Sequence, residues 1–179
     1  MGVPRSDKVR PTQDMVREAL FSMLREDVKG ARFLDLYAGT GAVGLEALSR
    51  GASEVFWVEG DRLVAKSARA NISAIAGEDF LANLAVSDAA QWVKRYRSEP
   101  FDIVYADPPY LMAMEDGLAS LAAALAASMV VGEDSLFVAE TSATAPALEI
   151  PGWTMLRDRV YGKTRITIRQ FLPEKGKED

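Results

Sequence analysis

The chain contains neither cysteine nor histidine. Without cysteine there is no disulfide, no thiolate zinc site and no sulfur nucleophile. Without histidine there is no serine–histidine triad, and the commonest metal ligand and default general base are missing. Any chemistry must rest on carboxylates, hydroxyls, lysine, backbone groups or a bound cofactor, and no metal is expected. Long apolar runs are also lacking: nothing approaches the roughly 18 residues of a membrane span. The start, Met1-Gly2-Val3-Pro4-Arg5-Ser6-Asp7-Lys8, has no apolar signal-peptide core. No membrane partner and a cytoplasmic location are therefore expected. With 179 residues, 49% of them hydrophobic, the chain fits one domain over residues 1–179 with a substantial core. The net charge of −5 argues mildly against indiscriminate nucleic-acid binding, but its distribution weighs more. Arg5, Lys8, Arg10 and Arg17 cluster at the start, and Arg157, Arg159, Lys163, Arg165 and Arg169 near the end.

What is present centres on Arg32-Phe-Leu-Asp35-Leu-Tyr-Ala38-Gly39-Thr-Gly41-Ala-Val-Gly44. An apolar strand carries one acid, Asp35, and breaks into a glycine turn that opens a helix. The spacing Gly39-x-Gly41-x-x-Gly44 lets backbone pass close to a ligand, because glycine accepts positive φ and has no Cβ. The following helix N-terminus offers unpaired N–H groups to an anionic ligand. A short helix over Leu45–Arg50 is expected, then a strand Glu54–Val58 ending at Glu59, about 20 residues past the first glycine. Strand, glycine turn, helix, strand and acid in that order make a nucleotide-type site, with Glu59 placed for ribose hydroxyls.

Asp35 decides which nucleotide. A dinucleotide site keeps its strand apolar up to the first glycine, so that a pyrophosphate can rest on the helix end. An acid at the strand's carboxyl end would repel that group but suits a ligand with a cationic amine. S-adenosylmethionine (SAM) has such an amine, a ribose for Glu59, and no phosphate. With no cysteine, covalent methyl transfer to a pyrimidine C5 is excluded.

Along the chain, residues 1–11 read as an extended lead-in, and Thr12 as the cap of a helix running to about Asp27. Val16, Ala19, Leu20, Met23 and Leu24 form its apolar face. A second amphipathic helix is expected over Asp61–Ala76, with Leu63, Val64, Ala68, Ile72 and Ile75 as its buried stripe. Then come a strand near Leu81–Val86 with Asp88 just after it, a helix over Ala89–Arg97, a buried strand Phe101–Ala106, and a helix over Gly117–Ser128. Asp134–Thr141 is a fifth strand, and Trp153–Tyr161 and Thr164–Phe171 form an antiparallel pair about a Gly162-Lys163 turn. Glu174–Asp179 reads as a frayed tail. This is α/β: a doubly wound, Rossmann-like, mostly parallel seven-stranded sheet with a C-terminal antiparallel hairpin, the pattern of the SAM-dependent methyltransferase fold. Such sheets bind ligands at the carboxyl ends of their strands, and Asp35, Glu59, Asp88 and Asp107 lie at or just past such ends.

The fourth strand runs into Asp107-Pro108-Pro109-Tyr110. Two prolines stiffen the loop and leave it with carbonyls and few donors. A base's exocyclic amine can donate to the Asp107 carboxylate and the Pro108 carbonyl while Tyr110 stacks on the ring. Two acceptors raise lone-pair character on that nitrogen, and positioning supplies much of the remaining rate. The base must leave its stack to enter.

On these residues the chain resembles the RsmD-type family of bacterial 16S rRNA (guanine-N2-)-methyltransferases. The likeness runs through Arg10-Pro11-Thr12, Val16–Phe21, Leu34–Gly41, Gly44-Leu-Glu-Ala-Leu-Ser-Arg-Gly-Ala52, Val58-Glu59, Asn71, Asp107–Tyr110 and Tyr161-Gly162. The resemblance implies SAM as cofactor, served by Asp35, Ala38, Gly39, Gly41 and Glu59 with Asp88 near the adenine. It implies Asp107, Pro108 and Tyr110 as the catalytic loop, and Arg10, Thr12, Arg17 and Pro109 as candidates for RNA contact. Its partner would be ribosomal RNA or the small ribosomal subunit, with the protein itself a monomer. The family usually carries a basic segment before its Val-Pro-Arg stretch, whereas this chain opens at Met1-Gly2-Val3-Pro4, so a weaker grip on RNA is expected. Three other readings stand beside this one: adenine-N6 methylation of DNA or RNA, NAD-dependent oxidoreduction, and a non-catalytic RNA-binding module. Asp35 disfavours the second, and the intact Asp107 loop disfavours the third.

Overall fold

The computed structural model describes residues 10–109, 117–146 and 148–173, with only the backbone of residues 10–12. Seven strands form one sheet among them, in the order β3-β2-β1-β4-β5-β7-β6. β1 (Arg32–Leu36), β2 (Glu54–Glu59), β3 (Leu84–Val86), β4 (Phe101–Ala106) and β5 (Val131–Ser142) run parallel. β7 (Thr164–Phe171) inserts antiparallel between β5 and the edge strand β6 (Trp153–Tyr161). The chain lays down β1, β2 and β3 in one direction, then returns to β1's other side with β4. That reversal between β1 and β4 opens a crevice at their carboxyl ends, where doubly wound sheets bind ligands.

Alternation along each strand sorts residues into two cores. One face buries Phe33, Val55, Trp57, Ile103, Tyr105, Val138, Ile166 and Ile168 under helices α1 (Arg10–Leu24), α2 (Ala42–Ser49) and α3 (Arg62–Ile75). The other buries Leu34, Leu36, Val58, Val104, Phe137 and Ala139 under α4 (Ala89–Arg95) and α5 (Gly117–Ala126). No helix among the described residues is long and apolar enough to cross a membrane.

Strands β1, β4, β6 and β7 lie where the sequence places them. The helices depart more. α1 begins at Arg10, so Thr12 is its third residue rather than its cap, and Pro11 occupies the first turn, where its missing N–H costs nothing. Leu24 ends that helix, and a 3₁₀ turn, Arg25–Val28, follows. α2 starts at Ala42, three residues earlier than expected, which brings Gly44 inside its first turn. A Cβ at Gly44 would run into the Trp57 indole and sit 2.8 Å from Val55 Cγ1; only glycine lets α2 lie this close to β2. α3 contacts the sheet along a narrow seam of Ala65, Ala68 and Ile72, while Leu63 and Ile75 face solvent at 81% and 71% exposure. The small alanines bring the backbone so near that the flanking large residues are turned outward. β3 keeps only three residues because Glu78–Asn83 winds into a 3₁₀ turn. β5 starts three residues early, at Val131: Asp134 takes φ 69°, which aspartate tolerates, and Ser135 Oγ donates to the Phe101 carbonyl (2.7 Å) to carry the pairing past it.

Candidate active site

A cleft of about 790 Å³ opens at the β1–β4 reversal, lined from α1 by Gln13, Val16 and Arg17, from the glycine turn by Tyr37–Thr40, and by Asp35, Tyr105, Asp107, Pro108 and Glu140. Lys163 of the β6–β7 turn and Thr164 at the start of β7 also line it.

Asp35 anchors the floor. It sits in β1 at 1% exposure, and its Oδ2 accepts the Gly44 amide of α2 at 2.9 Å. The helix end that could hold an anion is thus already met by a carboxylate. Asp35 Oδ1 is fully buried and has no partner among the described residues. Burial pushes the Asp35 carboxyl up to about 8; the Gly44 amide opposes this, and the neighbouring Asp107, Glu59 and Glu140 add to it.

The turn after β1 is held from β2. Ala38 N–H donates to the Val58 carbonyl (3.0 Å), and Gly39 N–H to Glu59 Oε2 (2.8 Å). Glu59 Oε1 accepts from the Asp61 amide at 2.8 Å. Gly39 and Gly41 take φ 57° and 79°, and the Gly41 carbonyl accepts from the Trp57 indole at 3.2 Å. Asn71 of α3 donates to the Thr40 carbonyl (3.0 Å). Tyr37 also adopts φ 61°, an uncommon conformation for an aromatic residue, and its hydroxyl is raised by burial and by the charge of Asp88.

The β4–β5 side is different in kind. Residues 105, 107 and 140 fall on the same sheet face as Asp35, since Tyr105 pairs with Asp35 and with Val138 in register. The Tyr105 hydroxyl donates to Glu140 Oε1 at 2.8 Å. Burial raises the Glu140 carboxyl to about 7, with Asp107 adding and the Tyr105 bond opposing, and burial also raises Asp107. The Tyr105 phenol is held well above its usual range by burial and by Glu140.

Of the residues singled out from sequence, the cleft brings together Asp35, Ala38, Gly39, Asp107, Pro108 and Arg17. Glu59 and Asp88 line the same sheet edge outside it, Asp88 as the cap of α4 accepting from Gln91 N–H (2.9 Å). Gly41 shapes the turn without facing the cleft, and Pro109 is exposed. Tyr110 lies outside the described residues, as do the side chains of Arg10 and Thr12 in the first turn of α1. Arg17 pairs with Asp14 at 3.0 Å on the cleft rim. The basic cluster near the C-terminus dissolves into structural roles. Arg169 is buried on Thr167 Oγ1 and the Leu148 carbonyl, Arg165 pairs with Asp158, and Arg157 donates to the Met23 carbonyl. Only Lys163 of that group lines the cleft. Sequence reasoning missed Tyr105 and Glu140. Glu140 carried the same signal as the other acids, a lone carboxylate near the carboxyl end of an apolar strand. Among the described residues no group of acids is arranged as a metal site.

The sheet order and the cleft at its reversal define a methyltransferase fold. The magnesium protoporphyrin IX methyltransferase of Synechocystis with bound SAM shares that fold at TM-score 0.72 and 12% identity, over 96% of this chain and 86% of that one. The putative methyltransferase yhhF of Escherichia coli superimposes with TM-score 0.76 at 30% identity, covering 96% and 92% of the two chains. The family model described as conserved hypothetical protein 95 matches residues 1–170. The ribosomal RNA small subunit methyltransferase D of Escherichia coli (strain K12) is 32% identical over 94% of this chain and 82% of that protein. The chain belongs to this family and is a methyltransferase.

Proposed function

We propose that the protein transfers a methyl group from SAM to an exocyclic base nitrogen, the N2 of a guanine in small-subunit ribosomal RNA. The observation that carries this reading is Asp35: a buried carboxylate with one oxygen unpartnered, beside a glycine turn and on the floor of the cleft that Asp107 and Pro108 enter. Such an oxygen suits a cationic amine and not a phosphate, and it fits the aminoacyl end of SAM. Asp35 would take that end, the Gly39 backbone would pass beside it, and Glu59 would receive the ribose hydroxyls. When bound, SAM supplies an electrophilic methyl group.

The rest is done by the chain's own groups. The Asp107 carboxylate and the Pro108 carbonyl accept the two hydrogens of the base amine, fix its lone pair toward the donor side and remove it from conjugation with the ring. Burial raises Asp107, which makes it a better acceptor for the proton the amine loses. Arg17 and Lys163, which both line the cleft, would meet the phosphates of the strand from which the base is turned out. The names of the relatives support ribosomal RNA as the substrate, and a monomer suffices, since every group invoked comes from one chain.

The test is tritium transfer from labelled SAM to small ribosomal subunits from cells lacking this gene, followed by nucleoside analysis. Label in N2-methylguanosine is expected. Label in N6-methyladenosine would replace guanine with adenine as the target, and no label with measurable SAM binding would remove ribosomal RNA as the substrate.

A further inference from the structure

We propose that Glu140 is the specificity-determining residue of this cleft, accepting the N1–H of the entering guanine while Asp107 and Pro108 accept its N2 amine, so that the site takes guanine and refuses adenine. The inference rests on the guanine-N2 reading above and deepens it.

A base turned out of its stack is read along its Watson–Crick edge. Guanine presents two adjacent donors there, N1–H and the N2 amine. Adenine presents one donor, its N6 amine, beside N1 as an acceptor. An amine-holding loop alone serves either base. Discrimination needs a second group next to the loop that accepts and does not donate.

Glu140 stands in that position. Ala106 of β4 pairs with Ala139 of β5, so the next residues lie side by side on strands about 4.8 Å apart: Asp107 just past the end of β4, and Glu140 still within β5 opposite Ile166 of β7. Both fall on the sheet face of Asp35 and Tyr105, and both line the cleft. The Tyr105 hydroxyl, itself buried, donates to Glu140 Oε1 and occupies that oxygen. Oε2 accepts no hydrogen bond from any described residue. The tyrosine therefore fixes which carboxylate oxygen faces the base. An independent sign that the cleft receives donors is Asp35 Oδ1, buried, unpartnered and lining the same space. Against adenine, an ionised Glu140 would set a carboxylate oxygen against the N1 lone pair, an acceptor facing an acceptor.

The test uses the full chain and small subunits reconstituted with RNA in which the mapped target guanosine is either retained or replaced by 2-aminopurine. That analogue keeps the N2 amine but carries N1 as an acceptor. The wild type is expected to prefer guanine by on the order of 10- to 100-fold in kcat/KM, the usual range for one well-placed base contact. Glu140→Gln should lose activity on guanine and gain on 2-aminopurine, because its amide can donate to N1, so that the preference collapses or inverts. SAM affinity should be unchanged. Tyr105→Phe, which frees Glu140 to turn, should show a smaller loss confined to guanine, and it provides the test should the glutamine variant fail to fold. An equal loss on both bases, or no loss on either, would overturn the proposal and leave Glu140 a structural residue. If the wild type forms no N2-methylguanosine on unmodified subunits, the underlying guanine reading falls and takes this one with it.

Discussion

The carboxyl edge of the sheet holds two sets of acids in contrasting surroundings. On the β2–β3 side, Glu59 and Asp88 sit in or near solvent with their oxygens engaged by backbone amides: Gly39 and Asp61 for one, Gln91 for the other. On the β1–β4–β5 side, Asp35 is buried, Glu140 half-buried and Asp107 exposed into the cleft; all three line it, and their carboxyls are all raised. The first set is suited to sharing lone pairs with neutral hydroxyls. The second is suited to cations and to amines that give up protons. On the reading proposed above, Glu59 and Asp35 would hold SAM, while Asp107 and Glu140 would meet the base whose amine loses a proton.

The sharpest way to break that comparison is Asp107→Ala. Methyl transfer should fall by about 10²- to 10³-fold in kcat, as when one preorganised partner of a reacting group is removed. SAM binding measured by calorimetry should persist; if binding fell with activity, the two roles would not be separable. Gly44→Ala strikes beneath the cleft, since its amide holds Asp35 and its missing side chain seats Trp57. Overpacking there should lower stability by about 1–3 kcal/mol in urea unfolding. Glu59→Gln touches the SAM-holding role alone. It should weaken SAM by about 10-fold, the scale of one charge-assisted hydrogen bond, with kcat at saturating SAM unchanged.

The smallest effect is a slope with pH. The Asp35 carboxyl is raised from 3.8 to about 8 in the fold, so the folded chain keeps a proton the unfolded chain releases. Its stabilising contribution is complete below about pH 4, declines as pH rises, and is gone above about pH 8. Without SAM, the wild type should therefore be less stable at pH 9 than at pH 6. Asp35→Asn should flatten part of that difference in thermal melts. Glu140, raised to about 7, contributes in the same direction and leaves a residual slope in the variant. An unchanged slope in the variant would mean that Asp35 is ionised in the free protein.

Much of this was legible in the sequence because strand ends announce themselves. Phe101–Ala106 stops where Asp107 and two prolines forbid further pairing, and Trp153–Tyr161 stops at a Gly-Lys turn. Helix faces were harder. Leu63 and Ile75 have the spacing of a buried stripe, but the seam is set by how closely two backbones approach, and alanines set it here. Glu140 stayed hidden for another reason. Its meaning comes from the Tyr105 hydroxyl on the neighbouring strand, 35 residues away in the chain, and no local pattern records that pairing. The Tyr37 conformation was equally unreadable, since only the closed turn imposes it.

The outer strands of the sheet bear on how the molecule keeps to itself. β3 is three residues long, and β6 has a register break between Met155 and Arg157 followed by alternating charges at Arg157, Asp158 and Arg159. A stub at one margin and a kinked, charged ribbon at the other are both poor templates for an additional strand. Fibril-like stacking through the margins is thereby discouraged even when many copies crowd together. The proposed substrate would enter elsewhere, through the cleft that Arg17 and Lys163 line.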